Sequence, residues 1–228
     1  MTKPILIFLH VPKTGGVTMR RIMEKQYRKK ELLRITPHFP ANGINQLSIR
    51  EQRKVKAMYG HFPYGIHTRF HRPTTYMTFI RHPFQRVVSL YNYICSRSQN
   101  PAHIPVKKIS FAEFIDDPRF QVPLQNHQVR LISGDLRKFS LGEAMDHLQR
   151  HFSVVGITDL YPESLEVMKQ RYGWRDVNYT RENKSVERVR KQDVPDRLRR
   201  LIIQRNQLDL ELYRHCREEL INQHRVLT

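Results

Sequence analysis

Acidic side chains are scarce in this chain: 21 Asp and Glu stand against 40 Lys and Arg, a formal net charge of +19. A field of that sign favours polyanionic partners. Nucleic acid, acidic polysaccharide and an anionic membrane surface all qualify, and charge alone does not choose among them. Cysteine is nearly absent. Cys95 and Cys216 are too few and too far apart for a disulfide scaffold or for metal-ligand spacing, so both read as reduced thiols. No apolar run approaches the roughly 20 residues of a membrane-spanning helix. The N-terminal apolar run is too short for a secretory signal and lacks a small-residue cleavage site. The expectation is therefore a soluble, cytoplasmic chain. Internal repeats and low-complexity segments are missing, and so is a G-x-x-x-x-G-K-[ST] phosphate loop.

A core is not lacking. Hydrophobic residues make up 39% of 228, enough for one α/β domain. The reading divides it into a nucleotide-binding core over 1–177 and a basic loop with a C-terminal helix over 178–228. Residues 5–10 are almost continuously apolar and read as a buried strand. Thr75-Tyr76-Met77-Thr78-Phe79-Ile80 is a second strand, rich in β-branched and aromatic residues. Met58 to Gly65 reads as a brief strand and turn, and Val154-Val155-Gly156-Ile157 as another strand. Helices are expected over 17–29, 48–56, from Pro83 to about Ser98, and from Pro162 to about Tyr172. Ser110-x-x-Glu113 and Ser140-x-x-Glu143 are capping-box signatures that open two more. Residues 31–47 and 99–109 read as irregular, and a long C-terminal helix runs from about Asp193. Strands alternating with helices imply a parallel sheet that binds ligands at the strands' carboxyl ends.

Three pieces carry chemistry. After the first strand comes Val11-Pro12-Lys13-Thr14-Gly15-Gly16-Val17-Thr18, a strand–turn–helix outline. Backbone N–H groups of such a turn, with the positive end of the helix dipole, make an anion site. Here the lysine precedes the glycines, which weakens an ordinary NTPase reading. Lys13 adds a mobile charge, and the hydroxyls of Thr14 and Thr18 are expected to donate. The second piece is Arg81, leaving the end of a strand, with Ser89 on the following helix; together they can grip one phosphate. Arg86 reads as a decoy on a solvated helix face. The third is His61 after Gly60, a candidate general base at a strand end. His10, His67, His71 and His82 compete with it.

In this order the motifs resemble those of the carbohydrate sulfotransferases related to the heparan sulfate 2-O- and 6-O-sulfotransferases. His10-Val11-Pro12-Lys13-Thr14-Gly15-Gly16 is similar to the family pattern H-[IV]-P/Q-K-T-G-G/S. Arg81-His82-Pro83-x-x-Arg86-x-x-Ser89-x-Tyr91 is similar to its R-[DH]-P-x-x-R-x-x-S-x-Y block, and Gly60-His61 to its G-H segment. Asn126 to Gly134 and Val154 to Thr158 resemble two further blocks. The likeness implies a P-loop-NTPase-like parallel sheet flanked by helices. It implies a donor, 3′-phosphoadenosine 5′-phosphosulfate (PAPS), with adenosine 3′,5′-bisphosphate (PAP) as product and no metal. It assigns the 5′-phosphosulfate to Pro12 through Thr18, the 3′-phosphate to Arg81 and Ser89, the catalytic base to His61 and charge stabilisation to Lys13. A late loop with Lys184 and Ser185 is expected to close over the nucleotide. Val17 departs from the family's threonine and leaves only a backbone N–H there.

Arg69, His71, Arg72 and Arg130 are candidates for an acceptor, expected to be a carbohydrate or other hydroxyl compound, most simply an acidic glycan. Two rivals remain at this point. A kinase-like enzyme with a degenerate phosphate loop would need a magnesium-binding acid, for which Asp159 is the nearest candidate. A basic nucleic-acid-binding module explains the charge but not the ordered loop, and no specific nucleic-acid motif is present.

Overall fold

The computed structural model describes residues 3–179 and 188–227. Its centre is a five-stranded, wholly parallel sheet in the order β2-β3-β1-β4-β5. The strands are β1 (Ile5–Leu9), β2 (Leu32–Arg34), β3 (Ala57–Gly60), β4 (Thr74–Ile80) and β5 (Phe152–Ile157). β1 is buried along its whole length, as its unbroken apolar run requires of a central parallel strand covered on both faces. The chain lays β2 and β3 on one side of β1 and then crosses to β4 and β5 on the other. That reversal makes a crevice at the carboxyl end of β1, the place where open α/β sheets bind ligands.

The helices follow in chain order: α1 (Gly16–Gln26), α2 (Ile49–Lys54), α3 (Pro83–Ser96), α4 (His103–Lys107), α5 (Phe111–Asp116), α6 (Gln121–Leu124), α7 (His127–Ser133), α8 (Leu141–His151), α9 (Tyr161–Tyr172), α10 (Asp196–Gln204) and α11 (Gln207–Arg225). One apolar cluster packs α1, α7, α8, α9 and α11 on the sheet around Phe8, Phe79 and Met168. A second, built on Ile7, Leu9 and Tyr76, covers the other face. A third joins α3 to α5 and α10 through Tyr91, Phe114 and Ile202. Among the described residues, no helix is long and apolar enough to cross a membrane.

Several elements differ from the sequence reading. The region 31–47 holds the edge strand β2, and 99–109 holds α4. The C-terminal helix is two helices, because Asn206 interrupts it. Its side chain donates to Ile202 O at 2.8 Å and accepts from Asn126 N at 2.9 Å. The Ser110 capping box is complete, with both Ser110 and Glu113 contributing, whereas at Ser140 only the serine side chain caps, accepting from Glu143 N. Cys95 and Cys216 are free thiols.

Candidate active site

The loop after β1 is shaped by two left-handed residues, Lys13 (φ 73) and Gly15 (φ 92). The conformation costs a lysine roughly 1–2 kcal/mol, so the surroundings must hold it there. They do so through carbonyls. Arg81 Nη1 donates to Lys13 O at 3.2 Å. The Thr158 hydroxyl lies 3.1 Å from Thr14 O and 3.0 Å from Ile80 O. Tyr161 donates its phenol to Gly15 O at 3.0 Å. With the carbonyls tied back, the N–H groups of the loop and of the first turn of α1, at Gly16, Val17 and Thr18, face the crevice as a helix N-terminus leaves them. The threonine hydroxyls do not act as the sequence suggests. Thr14 is fully buried and donates to Val11 O at 2.8 Å. The Thr18 hydroxyl bonds the Tyr161 side chain. The anion cradle is therefore built from backbone, and Val17 lacks nothing that its neighbours supply by side chain.

Lys13 leaves this loop toward α3, and its ammonium rests 3.9 Å from the centre of the Tyr93 ring. Burial, then repulsion from Arg81 and Arg97, lowers its pKa to about 8. Lys13, Arg81 and Arg97 thus stand close together, and Ser89, half-buried, sits one turn before Tyr93 on the same helix. A lysine so close to two arginines is a place where an anion is wanted.

On the other side of β1 stand two histidines. The register pairs Leu9 with Gly60 and continues with His10 N donating to Gly60 O, so His10 and His61 leave adjacent strands side by side. Their rings lie 4.2 Å apart, and His10 also stacks on Phe8 at 5.4 Å. His61 Nδ1 is 2.8 Å from His10 O. A carbonyl only accepts, so Nδ1 carries the proton and Nε2 carries the lone pair. Desolvation lowers the His61 pKa, the bond to His10 opposes this, and Arg34 lowers it further. The ring is thus a neutral base near pH 7. His10 is held neutral by burial first, then by His61, Lys13 and Arg20. It walls the crevice against the loop, where Gly16 leaves room for it: a Cβ there would lie 1.8 Å from His10 Nε2.

A groove partly open to solvent continues from the loop along α1. Val17, Thr18, Arg21, Ile22, Lys25, Asn178 and Tyr179 line it. The Tyr179 ring lies 5.2 Å from that of Tyr161. Helix α1 supplies both apolar and cationic groups to one wall, and Asn178 and Tyr179 form the other.

The remaining sequence candidates separate. Lys184 and Ser185 lie outside the described residues. Arg72 donates to Arg53 O, Val55 O and Lys3 O, which places it at the amino ends of β1 and β4, opposite the crevice, and His71 precedes it there. Arg69 bonds Asn45. Arg130 donates to Gln125 O and to Leu136 O and stacks on Phe139, so its guanidinium holds loops together. Arg86 is not on a solvated face. It is fully buried, donates to Pro123 O at 2.8 Å, and lies near buried Asp209 of α11. Asp159 accepts from Tyr213 at 2.9 Å and from Gln85 at 3.5 Å, contacts that tie α3 to α11. Among the described residues no group of three or more His, Cys, Asp or Glu could hold a metal ion. The sequence reading did not single out Tyr93 or Tyr161, and it gave Thr158 and His10 no part in shaping the loop. Only position relative to the two recognised loops could have flagged them.

Comparison with solved structures returns a mouse sulfotransferase, SULT7A1, complexed with PAP. It has 10% identity and a TM-score of 0.51 over 96% of this chain and 89% of that one. A sulfotransferase from Alicyclobacillus acidocaldarius follows, with 11% identity and a TM-score of 0.49 over 94% and 97%. At such identity the first of these likenesses speaks to the fold alone. No curated relative matches the chain. The sequence itself goes further: the model of the sulfotransferase family matches residues 2–215, a span that holds the backbone cradle, His61, Arg81 and Ser89 together, and the chain belongs to that family.

Proposed function

We propose that this sulfotransferase takes its sulfuryl group from PAPS and delivers it to a hydroxyl of a carbohydrate, most simply an acidic glycan. One observation carries the reading: the carbonyl-braced loop of Lys13 to Thr18 lies between the cations Lys13 and Arg81 on one side and the neutral base His61 on the other. The residues fit the donor. Loop N–H groups and Lys13 suit a phosphosulfate, Arg81 and Ser89 suit the 3′-phosphate, and the groove beside Tyr179 suits adenine. The donor contributes an activated sulfuryl group. His61 Nε2 takes the proton of the acceptor hydroxyl as it attacks in line. Lys13 and the loop N–H groups stabilise the charge that develops on the bridging oxygen. The carbohydrate acceptor is supported by the resemblance of the ordered motifs and by the net charge of +19.

Transfer from labelled PAPS to a panel of acidic and neutral glycans tests this. His61→Ala is expected to lose roughly 10²–10⁴-fold in turnover, the usual worth of a general base, while the PAP-induced rise in melting temperature persists. Near wild-type turnover would remove His61 from the reaction. No thermal shift at millimolar PAP would remove the donor.

A further inference from the structure

We propose that Gln128 is the residue that positions Arg81, and that it thereby sets how strongly the site prefers a nucleotide bearing a 3′-phosphate. The inference rests on the reading of Arg81 as the 3′-phosphate anchor. Arg81 is the first residue beyond β4, whose ladder to β5 ends with Ile80 paired to Ile157. There the sheet no longer holds the backbone, and a side chain takes over. Gln128 Oε1 accepts from Arg81 N at 2.8 Å, and Gln128 Nε2 donates to Arg81 O at 2.9 Å. The carboxamide thus serves both backbone groups of Arg81 at once, as a neighbouring strand does.

Gln128 is itself held. It is fully buried. The Asp209 carboxylate accepts from Gln128 N at 3.2 Å and from Val129 N at 2.9 Å. Asn126 at the start of α7 exchanges hydrogen bonds with α11, receiving Asp209 N and donating to Asn206 Oδ1. A continuous chain of hydrogen bonds therefore runs from α11 through Gln128 to the backbone of Arg81. The Arg81 side chain carries it on to Lys13 O. Asp209 and Gln128 are buried behind the crevice, so their influence on a nucleotide passes through Arg81. A guanidinium gripping a phosphate is sensitive to placement, since its fork gives both energy and direction. The other parts of a nucleotide meet the loop and groove, to which Gln128 makes no hydrogen bond of its own, and the loop keeps its braces from Thr158 and Tyr161 when Arg81 shifts.

The test compares dissociation constants of PAP and adenosine 5′-monophosphate (AMP), which differ by the 3′-phosphate, in the full chain. Arg81→Ala is expected to shrink the preference for PAP over AMP about 100-fold, the worth of two charge-assisted hydrogen bonds. Gln128→Met, near in shape but without polar atoms, is expected to shrink it about tenfold, one hydrogen bond's worth, with AMP binding within about threefold of wild type. Retained AMP binding reports a folded loop. Gln128→Glu keeps the acceptor for Arg81 N but sets a carboxylate oxygen against Arg81 O, and shrinks the preference in the same direction should the methionine variant not fold. Combining Gln128→Met with Arg81→Ala adds no further loss of preference. The proposal is overturned if Arg81→Ala lowers the preference while the Gln128 variants leave it intact. It is also overturned if those variants weaken PAP and AMP equally. If Arg81→Ala itself leaves the preference unchanged, the assignment of the 3′-phosphate to Arg81 is what fails, and the role of Gln128 falls with it.

Discussion

Gly16→Ala puts the packing of the site to a quantitative test. A methyl group at this position would stand 1.8, 2.0 and 2.3 Å from the Nε2, Cδ2 and Cε1 atoms of His10. Non-bonded heavy atoms settle at about 3.5 Å or more, so the ring must retreat by ~1.7 Å. It has little room to do so, because it stacks on Phe8 at 5.4 Å and lies tilted against His61 at 4.2 Å. Two effects oppose each other. Alanine at a helical position gains about 1 kcal/mol over glycine, and Gly16 is not among the positive-φ glycines, so no backbone strain offsets that. Overpacking costs about 1–3 kcal/mol, and here the clash is with the whole edge of a confined ring, which puts it in the upper part of that range. The net expectation is a loss of about 1–2 kcal/mol, read from the midpoint of urea unfolding at constant slope. Turnover is expected to fall about 100-fold, because displacing His10 displaces the carbonyl and ring that orient His61, and a 1 Å error in placement costs that much. Removing the ring removes the clash, so Gly16→Ala combined with His10→Ala should be more stable than the sum of the single changes by at least about 1 kcal/mol. A Gly16→Ala protein as stable and as active as wild type would refute the reasoning, since it would show that His10 swings away freely.

The pH profile of kcat/KM should be bell-shaped. His61, with its pKa below the ordinary 6.5, gains activity as it loses its proton, so the acid limb lies below pH 6.5. Lys13 is charged below about 8 and neutral above it. An anionic donor favours the charged form, so affinity is constant through pH 7 and falls as pH rises past 8, with proton uptake on PAP binding measurable by calorimetry in buffers of different ionisation enthalpy. Lys13→Ala should remove that alkaline limb and lower turnover with little effect on unfolding; an unchanged turnover would remove Lys13 from the chemistry. Arg86→Met removes a buried cation that donates to Pro123 O and lies near the Asp209 carboxylate, and should cost about 1–3 kcal/mol in urea unfolding. A loss under 1 kcal/mol would show that the two α7 N–H groups suffice for Asp209.

The elements legible in the sequence are those whose local pattern and tertiary role agree. β1 reads as a strand because it is apolar at every position, and it is central because only a central strand can bury both faces. β2 was hidden for the converse reason: Leu32–Arg34 is three residues long, pairs with β3 alone, and is half-exposed, so nothing in Lys-Glu-Leu-Leu-Arg marks it. The break between α10 and α11 is equally silent. The apolar spacing runs through it without glycine or proline, and the interruption is made by Asn206 reaching Asn126 on another helix. Arg86 shows the same limit from the side of charge. An arginine amid Phe84-Gln85-Arg86-Val87 reads as solvated, and only the arrival of Asp209 and the carbonyl of Pro123 makes its burial tolerable.

At the site, residue types were legible and the division of labour among their atoms was not. The sequence offers Thr14 and Thr18 as hydroxyl donors and Val17 as the gap between them. In the fold both hydroxyls turn to the protein, Thr14 to Val11 O and Thr18 to Tyr161, and the carbonyls of Lys13, Thr14 and Gly15 are drawn off by Arg81, Thr158 and Tyr161. A turn keeps its N–H groups on one side only if its carbonyls are satisfied on the other. The loop's capacity for an anion is therefore set from outside the loop, by the residues that follow β4 and β5 and by α9. The lysine ahead of the glycines follows from the same geometry. Held at φ 73, Lys13 sends its side chain out of the turn to α3 and the ring of Tyr93. Its charge then stands beside Arg81 rather than over the glycine amides. The cradle is left to backbone, and under the proposed mechanism the lysine charge serves the bridging oxygen from beside Arg81.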